Sequence, residues 1–133
     1  MSDGDRHERL IRDGIEAFNR GDLTMLATIF DERLESRVGP QLANSGTWRG
    51  REGFTEMITT WGEAFESQQN RIIGFTHPDD RHVIAEVHQA ATGAGSRVPV
   101  EMTLFYLFEF RDDKVVRLHL YAERDQALEV AGG

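Results

Sequence analysis

Cysteine is absent from this 133-residue sequence. Disulfides, thiolate metal sites and cysteine nucleophiles are thereby excluded, and the composition suits a reducing compartment. Positive charge is scarce: 15 Lys and Arg stand against 23 Asp and Glu, a formal net charge of −8. Such a field repels a polyanion, and the nearest approach to a basic patch, Arg49-Gly50-Arg51-Glu52, carries its own acid. Nucleic acid is therefore not an expected partner. Long hydrophobic runs are missing as well. No stretch reaches the roughly 20 apolar residues of a membrane span, so no membrane contact is expected. The opening MSDGDRHERL lacks the basic start and apolar run of a secretory signal. The expected location is the cytoplasm.

What is present is the composition of a globular protein, 39% hydrophobic and 29% charged. The length suits one domain, residues 1–133, with a core that needs no disulfide or metal staple. In the first segment Leu10, Ile11, Ile15 and Phe18 fall at helical spacing, with Asp3 or Asp5 as the expected cap and Gly21 as the stop. Asp22 then caps a shorter helix whose face carries Leu23, Leu26, Ala27 and Phe30. The run RLESRVG alternates like a strand, and PQLANSGTW reads as a loop. From Arg51 onward Phe54, Met57, Ile58, Trp61 and Phe65 form a broad helical stripe, interrupted by Gly62 at a position suited to close packing.

The remainder is strand-like. NRIIGFTH, RHVIAEVHQAAT, VPVEMTLFYLFEFR and KVVRLHLYAE are separated by short turns, and ERDQALEV makes a last helical turn with Leu128 and Val130 docking back. Strands joined by short turns pair antiparallel, so the order predicts an α+β domain with its helices gathered on one face of a curved antiparallel sheet.

Alternation then assigns the faces. Val100, Met102, Leu104, Tyr106, Phe108 and Phe110 make the apolar row of one strand, and Val116, Leu118, Leu120 and Ala122 that of the last. These rows are expected to meet the helices. Arg117, His119, Tyr121 and Glu123, with Phe105 and Leu107, then face outward, on a mixed surface suited to a homodimer.

Tyr106 is the polar exception in the inner row. A buried phenol seeks a partner, either in the core or on a ligand. Trp61 lies on the helical stripe, as plain core or as a flat pocket wall, and Trp48 ends the loop, where a lid over the pocket is one of two readings. Glu35 and Arg37 share one strand face, as a general base beside an arginine or as a surface ion pair. Glu86 and His88 share a face with His82, a combination that serves acid–base work or metal ligation. The opposite row, Val83, Ala85 and Val87, is more apolar, which places those polar residues toward solvent or a partner subunit. No metal site and no cofactor are expected. TGAGSR has no strand-to-helix context for a phosphate loop and reads as a turn, as does HPDD.

Several stretches carry a family likeness: EAFNRGDLTMLATIF with its N-x-G-D corner, GTWRGREGFTEMITTWGEAFE, and FEFRDDKVVRLHLYAERDQALEVAG. Together they resemble the nuclear transport factor 2-like superfamily in its SnoaL-like, polyketide cyclase-like branch, over nearly the whole chain. The resemblance implies a cone-shaped domain, three helices on the concave face of the sheet, an internal apolar pocket and often a homodimer. It does not settle chemistry. Where ketosteroid isomerase relatives place a tyrosine donor, an aspartate base and a protonated acid, this sequence has Gly14, Ser36 or Arg37, and Tyr106. Where polyketide cyclase relatives carry an acid on the last strand, it has Leu120. The Asp-Arg-Asp set of limonene epoxide hydrolase relatives does not assemble on the inner rows.

The expectation is a small apolar or aromatic molecule in a pocket lined by Tyr106, Met102, Leu104, Phe108, Leu118, Leu120, Trp61 and Trp48. Cofactor-independent isomerase, cyclase or hydrolase chemistry would rest on Tyr106, Glu35 or His88. The alternative is a non-catalytic dimerisation or partner-binding module with a filled core.

Overall fold

The computed structural model describes residues 2–42 and 44–132; Ala43, in the run expected to be a loop, lies outside them. The described residues form α1 (Asp3–Arg20), α2 (Leu23–Ile29), β1 (Phe30–Val38), β2 (Gly46–Arg49), α3 (Gly50–Ala64), β3 (Phe65–Thr76), β4 (His82–Gly93), β5 (Pro99–Arg111), β6 (Lys114–Tyr121) and α4 (Arg124–Gly132). None of these helices is long and apolar enough to cross a membrane.

Local chemistry sets the helix ends. The cap of α1 is Ser2, not an aspartate: its Oγ accepts from Asp5 N at 3.1 Å, leaving Asp3 and Asp5 to complement the helix dipole in the first turn. Gly21, at φ 75°, closes the helix in the left-handed conformation. Asp22 caps α2 through Met25 N at 3.0 Å. Leu23 remains exposed and Phe30 already belongs to β1, so Leu26 and Ile29 supply the buried face of α2.

The strands form one sheet in the order β2-β1-β6-β5-β4-β3. All neighbours are antiparallel except β1 and β6, which run parallel. The sheet is therefore mixed rather than wholly antiparallel, because β1 is separated from β6 by most of the chain and joins it through no hairpin. GTW, the end of the expected loop, instead opens the edge strand β2, which pairs Trp48 with Ser36.

The inner face carries the main core, including Leu34, Val38, Val83, Val87, Leu104 and Phe108, packed beneath α1, α2 and α3. One row departs from the expected parity. Phe110 pairs with Val115 while Glu109 pairs with Arg117, so a bulge at Val116 shifts the strand by one residue. Val115, 1% exposed, is the inward residue in place of Val116. The outer face is not open either. Helix α4 covers part of it, and Ile84, Leu107, Tyr121 and Ala127 form a second small core there. Leu107, expected on a dimer surface, is 0% exposed, whereas Leu128, expected to dock, is 37% exposed and Ala127 docks in its place.

Two glycines in α3 behave oppositely. A Cβ on Gly53 would lie 3.0 Å from Trp48 Cβ and 3.1 Å from Trp48 carbonyl carbon, so α3 meets β2 through a glycine. A Cβ on Gly62 meets nothing within 4 Å, so the close packing expected there does not occur. Gly62→Ala should stabilise the fold by about 1 kcal/mol, raising Tm by about 4 °C. Gly53→Ala should lower stability by about 1–3 kcal/mol through overpacking. Thermal unfolding followed by circular dichroism checks both signs.

Candidate functional site

Between the inner sheet face and α1–α3 lies a cavity of about 80 Å³. Its walls are aliphatic and aromatic side chains from the three helices and from β1, β5 and β6. Gly14 keeps one wall thin: a Cβ there would come within 3.4 Å of Ile29 Cδ1 and 3.5 Å of Leu26 Cδ2. Tyr106, Phe108, Leu118, Leu120 and Trp61 line this space together. Met102 and Trp48 pack against the core, and Leu104 is buried within it, but none of the three lines the cavity. Trp48 is drawn away by its place on the edge strand β2.

The polar atoms gather at one end of the cavity, on Gln68 and Asn70 of β3, Gln89 of β4, Tyr106 of β5 and Trp61 of α3. Their orientations follow one from another. An indole N–H can only donate, and Trp61 Nε1 lies 3.1 Å from Gln89 Oε1. Gln89 Nε2 is then the donor that reaches Asn70 Oδ1 at 2.7 Å. Asn70 Oδ1 also accepts from the Tyr106 hydroxyl at 3.3 Å. Behind them Asn19 clasps the backbone of Asn70, its Oδ1 accepting from Asn70 N at 3.0 Å and its Nδ2 donating to Asn70 O at 2.9 Å. Burial pushes the Tyr106 phenol far above its usual pKa, so it remains a donor at any working pH.

No carboxylate or imidazole lines the cavity among the described residues. The expected catalytic candidates Glu35 and His88 lie on the opposite face of the sheet. His88 is half-buried, with Nε2 3.5 Å from the exposed carboxylate of Glu101. Glu35 belongs to a denser cluster. Its Oε2 lies 2.7 Å from His119 Nε2, and His119 Nδ1 lies 2.8 Å from the Tyr121 hydroxyl. Arg49 and Arg117 approach the same carboxylate at 3.3 and 3.6 Å. Register explains the gathering, since β1 sets Glu35 beside Arg49 of β2 and Arg117 of β6, and Arg37 beside His119.

His119 and Tyr121, expected at a solvent or partner surface, are each 3% exposed. Burial lowers the His119 pKa against the pull of Glu35, so the imidazole is neutral. A carboxylate can only accept, so Nε2 carries the proton and Nδ1 accepts from Tyr121. Burial alone would raise the Glu35 pKa, but the His119 hydrogen bond and the two arginines lower it overall. With the imidazole neutral, that hydrogen bond and the arginine charges hold the carboxylate ionised.

His82, expected to be exposed with Glu86 and His88, is 5% exposed and bonded through Nδ1 to Asp79 at 2.8 Å. The inner row of β4 instead continues from Val83, Ala85 and Val87 to Gln89. Two-residue periodicity extended by one step would have found that glutamine.

The profile of the SnoaL-like domain family matches residues 11–118. The chain belongs to this family. Solved structures of the nuclear transport factor 2-like fold superpose over nearly all of the SnoaL-like chain. A nuclear transport factor 2-like protein of unknown function from Burkholderia pseudomallei gives a TM-score of 0.81 at 12% identity, over 100% of each chain. A protein from a soil-derived mobile gene cassette gives 0.78 at 22% identity, over 95% of each chain. A putative polyketide cyclase from Xanthomonas campestris gives 0.74 at 23% identity, covering 96% of this chain and 98% of the other. At these identities the likeness shows the fold alone. No curated protein matches the SnoaL-like chain.

Proposed function

We propose that this SnoaL-like protein binds a small, neutral, largely apolar molecule in the cavity enclosed by α1–α3 and the sheet. The observation that supports this reading is the separation of the cavity into apolar walls and one uncharged hydrogen-bonding end. Ligand sites are usually built this way, with few polar groups fixing orientation. The absence of a counter-charge in the lining disfavours an ionised ligand, whose desolvation would go uncompensated. At about 80 Å³ the space is smaller than the several hundred cubic ångströms of common ligand pockets, which favours a ligand of very few atoms. Met57, a flexible side chain in the wall, is suited to yield to an entering molecule.

Binding rather than acid–base catalysis is the function favoured. The Tyr106 hydroxyl gives its one hydrogen to Asn70 Oδ1, and the lining offers no carboxylate or imidazole to act as base. Thermal shift against neutral apolar compounds, each paired with its carboxylate analogue, tests the reading. Neutral compounds should raise Tm and their carboxylates should not. Equal shifts from both members, or none from either, would count against it. Tyr106→Phe removes the hydroxyl that holds Asn70 Oδ1 and should weaken binding of a hydroxyl-bearing ligand about fivefold, through the loss of one neutral hydrogen bond at the polar end. Isothermal titration of wild type and variant measures that difference.

The partner we propose is a second copy of the chain, docking on the part of the outer face that α4 leaves uncovered. There Arg37 and Arg49 are exposed beside Glu35, a mixed-charge surface that complements itself across a two-fold axis. Sedimentation should give twice the chain mass of 15.1 kDa. A 15.1 kDa species at all concentrations, or a dimer unchanged in affinity by Arg49→Glu, would contradict this interface.

A further inference from the structure

The uncharged end of the cavity has one unmet demand. Gln68 Oε1 is buried and has no hydrogen-bond partner among the described residues. Its amide orientation is fixed, because Gln68 Nε2 donates to the Phe65 carbonyl at 3.3 Å and a carbonyl cannot donate in return. The oxygen, not the nitrogen, is therefore the free group. It is held there by an irregular backbone. The β3–β4 register shifts between Glu66 and Gln69, and Ser67 sits at φ 52°, so Gln68 falls on a bulge at the cavity wall. Bulges re-aim side chains beside sites, and a buried acceptor left without a donor costs about 1–3 kcal/mol.

No neighbouring donor is bonded to it, and two of them are already committed. Trp61 Nε1 is committed to Gln89, and Tyr106 donates to Asn70. What they do retain is complementary: Gln89 Nε2 and Asn70 Nδ2 each carry a second hydrogen, and the Tyr106 oxygen keeps its lone pairs.

We infer that the ligand is a neutral apolar molecule bearing a hydroxyl group, which donates to Gln68 Oε1 and accepts from the amide hydrogens of the Gln89–Asn70 pair. A hydroxyl is the smallest group that both gives and takes a hydrogen bond at one atom. A ketone or ether accepts only, and leaves Gln68 unpaired. A carboxylate adds two more acceptors and a charge with no counter-charge in the lining. Sites built to pair a hydroxyl discriminate strongly against the analogue that lacks it. The inference rests on the cavity being the binding site.

The test uses the full chain with three probes of nearly one shape: phenol, toluene and benzoate. Affinities are read by NMR titration of the Trp61 indole N–H. Wild type should bind phenol and should not take benzoate into the cavity. The isosteric change Gln68→Met should lower the phenol-to-toluene affinity ratio about tenfold, the value of one buried hydrogen bond, while leaving toluene affinity within about twofold. An unchanged ratio would overturn the hydroxyl assignment while leaving the cavity reading intact. Failure of both phenol and toluene to perturb Trp61 would overturn the cavity reading and this inference with it. Wild-type crystals soaked in phenol give an answer that does not depend on the variant folding. The phenol oxygen is expected within hydrogen-bond distance of Gln68 Oε1, and an oxygen placed among the aliphatic walls would refute the assignment.

Discussion

Leu107→Ala should destabilise the protein by about 2–5 kcal/mol, the range for truncating a fully buried leucine. Leu107 is 0% exposed, yet it faces away from the main core. Its neighbours are Ile84, Tyr121 and Ala127, so its burial depends on α4 lying across the outer face of the sheet. The loss should therefore be shared. Deleting α4 should cost much of the same free energy, and Leu107→Ala should cost little more once α4 is gone, because the two changes remove one contact set. Urea unfolding of the single and combined variants measures this. A Leu107→Ala cost below about 1 kcal/mol in the full chain would mean that α4 does not dock as described.

The second large effect concerns Glu35, His119 and Tyr121. Glu35→Ala should cost about 1–3 kcal/mol at neutral pH, because it leaves the His119 Nε2–H without its acceptor in a buried site. The pH dependence follows from the directions of the shifts. The folded-state pKa of His119 lies below the ordinary 6.5, so the fold binds the imidazole in its neutral form. That contribution is fully present above about 6.5 and is lost as pH falls toward the folded value. The folded-state pKa of Glu35 lies below the ordinary 4.5, so its contribution persists to lower pH and is lost as pH falls through the folded value. His7, stacked on Phe110 at 4.0 Å, is lowered by burial against the attraction of Asp113 and adds a loss of the same sign as His119.

Stability should thus decline in two stages on acidification, the first beginning near pH 6.5 and the second below pH 4.5. His119→Gln can still donate to Glu35 and accept from Tyr121 without titrating, so it should flatten the first stage and spare the second. Denaturant unfolding from pH 8 to about pH 4 distinguishes these cases. A first stage of the same depth in His119→Gln would mean that His119 is not held neutral by the fold.

Much of the fold was legible because its elements carry strong local signals. Gly21 and Asp22 mark the turn between α1 and α2, and the alternation in β5 separates Leu104, Phe108 and Phe110 from Glu101 and Glu109. What was not legible depends on non-local pairing. Nothing in GTWR announces a strand until β1 offers it an edge, and the bulge at Val116 appears only against the register of β5. The outer face departs from the sequence expectation for a related reason. Leu107 and Tyr121 look like an interface until α4 folds back over them.

The site divides in the same way. Tyr106, Trp61, Phe108, Leu118 and Leu120 could be gathered from periodicity alone, since each sits on a clear apolar row or stripe. Glu35 and His88 stand out in sequence because they are ionisable, yet the pleat sends both to the other face. Asn70 and Gln89 are uncharged and lie in β-rich runs, so they attract little notice in sequence. Their pairing across β3 and β4 is what makes them the polar end of the cavity. Gln68 was out of reach, because a bulge rather than simple alternation brings it to the wall.

The most direct measurement is a ¹H–¹⁵N NMR titration of the intact protein with a neutral apolar alcohol, with indole and side-chain amide resonances assigned. Saturable shifts at Trp61 Nε1–H and at the Gln89 and Asn70 amides, with the His119 and Arg117 signals unmoved, are the expected result. Shifts confined to the outer-face cluster of Glu35, His119 and Arg117, or no saturable shift at Trp61 with any compound tried, would contradict a ligand site inside the cone.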